Sequence, residues 1–212
     1  MIVLSGGAGA LRHIEILRSI GGGRLLNPDC WKNPKPGLPY GIDNGAFPAW
    51  TNGKPFPWRK FLVLLAKVPR GDPPFMAVCP DKVAAGMASL RFSRRWRTRL
   101  DALGYGWMPW YLAVQDGMSL AAVRRELETG RWSGVFVGGT MRWKLRTGAS
   151  WVSLAHEKGL PAHIGRTPQV RHLVWAASIG ADSCDSTDWA RQDRHERIFA
   201  ARLQSRLVPS SP

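Results

Sequence analysis

The sequence has few acidic residues for its size. It contains 15 Asp and Glu against 30 Lys and Arg, which gives 212 residues a formal charge of +15. So large a positive excess indicates a polyanionic partner such as nucleic acid, and a generally basic proteome is the alternative explanation. A hydrophobic content of 44% is enough for an ordinary core and excludes a disordered basic tail.

Cysteines and long apolar runs are also scarce. Cys30, Cys79 and Cys184 are widely spaced and form no CxxC pair, so the sequence predicts neither a disulfide scaffold nor a zinc module. We expect no metal and no cofactor. No run approaches the roughly 18 apolar residues of a membrane span, and the N-terminus has no basic leader. We therefore expect a reduced, cytoplasmic protein that does not enter a membrane.

Linkers and internal repeats are absent from the sequence, which predicts a single domain over residues 1–212. Short apolar runs alternate with helical patterns, as is typical of βα units around a parallel sheet. Eight candidate strands would close an α/β barrel of the TIM type, and a doubly wound sheet is the alternative fold. The strands are Ile2–Leu4, Arg24–Asn27, Tyr40–Asp43, Phe75–Cys79, Trp110–Val114, Gly134–Val137, Ala162–Gly165 and Ala181–Cys184.

Several helices have recognisable starts. Ser119 is a predicted N-cap, and Thr167 followed by Pro168 predicts another helix start. A last helix is expected over Asp188–Leu207.

Polar and glycine-rich segments follow five of the predicted strands. Their sequences are GIDNGAF, VCPD, AVQDG, FVGGT and DSCDSTD. A barrel enzyme has its active site in the loops after the carboxyl ends of its strands. Aspartate and glycine also serve as turn formers and helix caps, so one such segment alone would be weak support. Five together, in a chain with 15 acidic residues, predict a site at this end of the barrel.

The ordered set DNGAF, CPD, VQDG, VGGT, HIGR and GADSCD resembles the guanine transglycosylases, the family of the queuine and archaeosine tRNA-ribosyltransferases. The likeness extends from about Tyr40 to Trp189 and is strongest to the compact phage and bacterial members that modify DNA. The zinc-binding CxCxxC…H segment of the tRNA enzymes is missing, and we expect no appended RNA-binding domain after Pro212. These departures favour a DNA-acting enzyme without a zinc subdomain. A phage-encoded member would act in the host cytoplasm.

The resemblance implies catalytic roles for two aspartates. Asp43 matches the aspartate that acts as acid and base near the exchanged base, and Asp185 matches the nucleophile of the GxDxxD pattern. Asp182 is the alternative nucleophile. Asn44 and Phe47 belong to the same DNGAF segment as Asp43, and we expect them to line the base pocket, with Asn44 in place of the family's serine.

The resemblance also implies a set of base-binding residues. Asp81 falls where the family has an aspartate that hydrogen-bonds the base edge, and Gln115 matches a glutamine that contacts the purine. Gly138 and Gly139 match a turn whose backbone approaches the base. A carboxylate suits the N–H donors of guanine, and an amide suits its O6 acceptor.

Basic residues beside these motifs are predicted to contact phosphates. They are Arg142, Lys144, Arg146 and Arg166. Such contacts give affinity without sequence preference. The arginine-rich segment 91–99 fits a solvated helix face as well as it fits a phosphate-binding cluster. His163 is expected to be structural rather than catalytic.

The resemblance implies a pentosyltransferase that replaces guanine in DNA with a free 7-deazaguanine base such as preQ0, through a covalent aspartyl-nucleotide. Its partners would be that base and DNA, with the target guanine flipped out or single-stranded. Three alternatives stay open: a tRNA-directed transglycosylase, a non-catalytic nucleic-acid-binding module, and an N-glycosidase that uses water as acceptor.

Overall fold

The computed structural model describes residues 1–7, 9–29 and 34–186. Eight parallel strands follow one another around a closed barrel, and the last strand pairs with the first. The predicted α/β barrel of the TIM type is therefore confirmed, and the doubly wound alternative is wrong. The helix expected over Asp188–Leu207 lies outside the described residues. No helix among those described is long and apolar enough to cross a membrane.

Strands and helices alternate along most of the described chain. The strands are β1 (Ile2–Gly6), β2 (Gly23–Leu26), β3 (Tyr40–Ile42), β4 (Met76–Val78), β5 (Trp110–Val114), β6 (Gly134–Val137), β7 (Ala162–Ile164) and β8 (Ser183–Ser186). The helices are α1 (Leu11–Ser19), α2 (Ala46–Thr51), α3 (Trp58–Leu65), α4 (Gly86–Ala102), α5 (Leu120–Leu127), α6 (Met141–Glu157) and α7 (Val170–Ser178). Each predicted strand overlaps an observed one. The last strand begins two residues later than predicted, so Asp185 lies within β8 instead of just after it.

The two predicted helix caps differ in outcome. Ser119 accepts a hydrogen bond from the backbone N–H of Ala122 and caps α5, as predicted. The prediction for Thr167 is wrong, because α7 begins at Val170. The backbone N–H and the hydroxyl of Thr167 instead donate to the backbone oxygen of Asp185, at 2.6 and 3.0 Å. Thr167 thus ties the β7–α7 loop to the end of β8.

The barrel interior is filled by side chains from alternate positions of the strands. Its apolar part contains Leu4, Leu25, Met76, Val78, Tyr111 and Ala113. Glycines make room for the large rings: a Cβ at Gly134 would lie 2.5 Å from the ring of Tyr111, and one at Gly165 would lie 2.3 Å from Phe136. The interior is therefore tightly packed below the carboxyl ends of the strands, where polar residues begin.

Candidate active site

A pocket opens at the carboxyl ends of the strands, where barrel enzymes have their active sites. Its cavity volume is about 50 Å³. Ten of the residues predicted from the sequence line it, and they come from six different strand ends. These ten are Asp43, Asn44, Phe47, Asp81, Gln115, Gly138, Gly139, Lys144, Arg166 and Asp185. Asp182, Arg142 and Arg146 do not line the pocket.

Asp81 is buried among side-chain amides. It is 4% exposed. Asn44 Nδ2 donates to its Oδ1 at 2.7 Å, and Gln115 Nε2 donates to its Oδ2 at 2.5 Å. Burial raises the pKa of Asp81 to about 6, and the two amide donors oppose that rise. Because each carboxylate oxygen can accept a second hydrogen bond, Asp81 can still receive N–H donors from a ligand.

Asn44 positions Asp81. Its Nδ2 donates to the backbone oxygen of Cys79 at 2.9 Å as well as to Asp81, so both of its N–H groups are used. Its Oδ1 accepts from the backbone N–H of Ala46 at 2.7 Å, at the start of α2. Asn44 therefore borders the pocket as predicted, but its amide holds the β3–α2 loop against the β4–α4 loop.

Two glycines shape the turn between β6 and α6. A Cβ at Gly138 would lie 2.4 Å from Gln115 Nε2. Gly139 has a φ of +75°, and a Cβ there would lie 2.3 Å from Asp116 Oδ2. Asp116 accepts from the backbone N–H and the hydroxyl of Thr140 at 2.8 and 2.7 Å. The sequence analysis assigned no role to Asp116. Its position next to Gln115 in VQDG could have indicated that it lies beside the pocket.

Asp185 is held by a chain of polar groups inside the barrel. His163 Nε2 lies 2.9 Å from its Oδ1, and His163 Nδ1 lies 2.8 Å from Ser183 Oγ. The backbone N–H of Arg166 donates to the same Oδ1 at 3.1 Å. A carboxylate accepts hydrogen bonds, so His163 can donate to Asp185 from Nε2, and the hydroxyl of Ser183 can pair with Nδ1 as donor or acceptor. The ring of His163 is fully buried and stacks on Phe136, 5.1 Å between centroids.

His163 was expected to be structural, and the structure gives it a specific partner. It fixes the orientation of Asp185 from within the barrel wall. Period-two alternation could have indicated this contact, since His163 of β7 is the registered neighbour of Ser183 in β8 and both face inward.

The structure corrects the prediction that Asp182 is an alternative nucleophile. Asp182 precedes the first residue of β8, and its Oδ2 accepts from the backbone N–H of Ala162 at 2.7 Å and contacts His156 Nε2 at 2.9 Å. Ala162 begins β7, so this carboxylate lies at the amino ends of the strands. Asp182 and Asp185 are three positions apart along an extended segment, so their backbones are separated by ~10 Å along the strand.

Asp43 lies just after β3 and lines the same pocket as Asp185. Burial raises its pKa to about 7, and the negative charge of Asp185 contributes to the rise. Hydrogen bonds from the backbone of Gly45 and Asn44 oppose it. A carboxyl group with this pKa exchanges its proton readily at neutral pH, as a general acid and base must.

The four predicted phosphate-binding residues separate into two groups. Arg142 and Arg146 are exposed on α6. Lys144 lies roughly 200° around that helix from each of them and is 1% exposed. Its Nζ donates to the backbone oxygens of Gly165 and Arg166. The structure thus corrects the prediction for Lys144: its side chain is buried in the lining of the pocket and is not on the surface, where it could contact phosphates.

The environment of Lys144 also affects its protonation. Burial lowers the pKa of its ammonium group to about 7, and the nearby carboxylate of Asp185 opposes this shift. Arg166, the fourth predicted residue, is exposed, and its guanidinium carbon lies 3.4 Å from the centre of the Phe47 ring. Arg166 therefore covers Phe47 at the pocket entrance.

No protein-family model matches the chain, and no curated protein matches it. The resemblance to guanine transglycosylases therefore stays a prediction from short motifs. Among residues 1–7, 9–29 and 34–186, no group of three or more His, Cys, Asp and Glu side chains is arranged to hold a metal ion.

The raised pKa of Asp43 predicts a pH-dependent stability. The folded state binds a proton at Asp43 up to about pH 7, whereas the unfolded chain releases it near the ordinary value of 3.8. The free energy of unfolding therefore falls as the pH rises between these values. Asp43→Asn should be more stable than the wild type at pH 8, by on the order of 2–4 kcal/mol, and this difference should shrink toward pH 4.

Urea unfolding at several pH values measures this difference. Asp29→Asn, at an exposed aspartate outside the pocket that pairs with Lys60, is the control and should change the stability much less than Asp43→Asn at pH 8. A stability difference between Asp43→Asn and the wild type that does not vary with pH would contradict the account.

Proposed function

We propose that this protein is a guanine transglycosylase that replaces guanine in DNA with a free 7-deazaguanine base. The observation that carries the proposal is the convergence of Asp43, Asp81 and Asp185 in one pocket of a chain with a charge of +15. The three carboxyl groups have different environments, which suits them to three different tasks in base exchange: nucleophile, acid and base, and recognition of the base. Clustering of buried carboxylates is costly, so it is typical of sites that do chemistry.

Asp185 is the proposed nucleophile. Base exchange breaks the C1′–N9 bond through an oxocarbenium-like transition state, and a carboxylate on the opposite face of the sugar can form an ester with C1′. The hydrogen bonds from His163 and from the backbone N–H of Arg166 both reach Oδ1. They fix the carboxylate plane, which favours attack in a single direction.

Asp43 is the proposed acid and base. The departing guanine takes a proton at its ring nitrogen, and the incoming deazaguanine gives up its N9 proton before it attacks C1′ and releases Asp185. One group can serve both half-reactions if its pKa lies near the working pH. The pKa of Asp43, about 7, meets this requirement.

Asp81 and Gln115 are proposed to recognise the base. The carboxylate of Asp81 suits the N1–H and the exocyclic amine of guanine, and the second N–H of Gln115 Nε2 suits O6. Both side chains are held in place, by Asn44 and by the backbone N–H of Ala84. Recognition by pre-oriented groups loses little entropy on binding.

DNA is the proposed polymer. The exposed Arg142 and Arg146 follow the GG turn, on α6, and can neutralise backbone phosphates. A paired and stacked guanine cannot enter a pocket at the end of a barrel, so the substrate would be single-stranded or flipped out. A non-catalytic binding module would need none of the buried carboxylates.

Base exchange can be tested by nucleoside mass spectrometry. The protein is incubated with labelled guanine or 7-deazaguanines and with single-stranded DNA, duplex DNA and tRNA in parallel. We expect label in DNA, and Asp185→Asn should reduce its incorporation by at least about 10³-fold. Asp182→Asn is the matched control in the same segment and should retain activity, since Asp182 lies at the opposite end of the barrel.

The same experiment separates the alternatives. Label in tRNA alone would indicate a tRNA enzyme, and release of guanine with an abasic site would indicate an N-glycosidase. Failure of every labelled base to enter any nucleic acid would contradict base exchange.

The contact of His163 with Asp185 predicts that His163 affects catalysis indirectly, by holding Asp185 in position. His163→Phe keeps a ring against Phe136 but removes the hydrogen bond to Oδ1. We expect kcat for base exchange to fall by about 10²-fold because the nucleophile is no longer held in position, with little change in KM for DNA. His163→Gln, which can restore an N–H donor, should recover part of the loss. Equal kcat values for His163→Phe and the wild type would contradict a positioning role.

A further inference from the structure

A second groove adjoins the pocket and has no part in the proposed chemistry. Its cavity volume is about 560 Å³, and it lies between α2, the segment leading into α3, and the β4–α4 loop with the adjoining face of α4. Asp81 and Val83 line both the pocket and the groove. A ligand that occupies the pocket can therefore extend into the groove without leaving the protein surface.

Aromatic side chains form much of the groove. Trp50 and Trp58 are 48% and 41% exposed, although tryptophan is normally well buried. Behind them the ring of Phe56 packs edge-on against Trp96 at 5.4 Å and Phe92 at 6.0 Å between centroids. The groove thus presents exposed indoles on a rigid aromatic base, a surface suited to flat ligands.

The groove is also positively charged. Lys54 and Lys82 line it and are exposed. The guanidinium carbons of Arg59 and Arg99 lie 5.1 and 5.4 Å from the Trp58 ring centre. Among the described residues that line the groove, the one acidic side chain is Asp81, which is buried. Charge complementarity therefore favours a ligand that combines flat rings with negative charges.

Helix α2 connects the two cavities. Phe47 lines the pocket and Trp50 lines the groove, and their ring centroids are 5.7 Å apart. Three residues apart, they lie on one side of the helix. A strand whose target base is in the pocket would carry its neighbouring nucleotide past Phe47 to Trp50.

We propose that the groove binds the nucleotide next to the exchanged guanine in single-stranded or locally opened DNA. The neighbouring base stacks on Trp50, and Lys54 and Lys82 contact the phosphates. The identity of the nucleotide in the pocket rests on the proposed function, whereas the groove's own affinity for a strand does not. Because every base has an aromatic face, the groove gives affinity with little sequence preference.

Fluorescence anisotropy with labelled dT12, an oligonucleotide without guanine, tests the groove independently of base exchange. Trp50→Ala should weaken binding by about 5- to 100-fold, and Trp50→Phe should retain most of the affinity. Lys82→Ala should make the slope of log binding constant against log salt concentration shallower by about 0.7, as expected for the loss of one phosphate contact. Leu103→Ala is the control, because Leu103 is also 48% exposed but lies past the last residue of α4, outside the groove.

The outcomes distinguish this inference from the proposed function. Equal binding of dT12 by Trp50→Ala and the wild type, or no binding by the wild type, would overturn the groove assignment even if base exchange occurs. Loss of dT12 binding in Trp50→Ala without any base exchange would support the groove and contradict the proposed function. Tighter binding of rU12 than of dT12 would assign the groove to RNA and overturn the DNA assignment. A dimer in sedimentation that Trp50→Ala abolishes would assign the groove to a second copy of the chain and also overturn it.

Discussion

The burial of carboxyl groups together in one pocket is the constraint on which the rest of the site depends. Each carboxylate loses hydration, and each repels the others. The protein offsets this cost differently at each position. Asp81 accepts two amide hydrogen bonds, Asp185 is held by His163 and by a backbone N–H, and Asp43 takes up a proton more readily than usual. The amino group of Lys144, whose pKa burial lowers to about 7, lies in the lining of the same pocket.

The barrel makes this arrangement possible because its parallel strands end at one rim. Residues far apart in sequence meet there, and six strand ends supply the predicted residues that line the pocket. The packed interior supports them from below: Phe136 is accommodated by Gly165 and in turn stacks on the imidazole that orients Asp185. The aromatic and basic groove adjoins the pocket at Asp81 and Val83, and we propose it as the strand-binding part of the site.

The sequence predicted the barrel and most of the pocket, because apolar runs identify parallel strands and their polar ends share one rim. It failed where a role depends on the direction of a side chain. Lys144 looked equivalent to Arg142 and Arg146, but the helical repeat turns it inward. Asp182 and Asp185 are close in sequence, and a two-residue error in the start of β8 obscured that they lie at opposite ends of the strand. The partnership of His163 with Asp185 needs the register between β7 and β8.

The central claim is that the carboxylate of Asp185 forms an ester with the deoxyribose C1′ as guanine leaves. Intact-protein mass spectrometry tests it most directly, after the protein is mixed with a guanine-containing oligonucleotide in the absence of an acceptor base and then denatured. The account predicts a mass increase equal to the oligonucleotide less one guanine, which peptide mapping locates at Asp185. An ester at another residue, or base exchange without any covalent adduct, would contradict it.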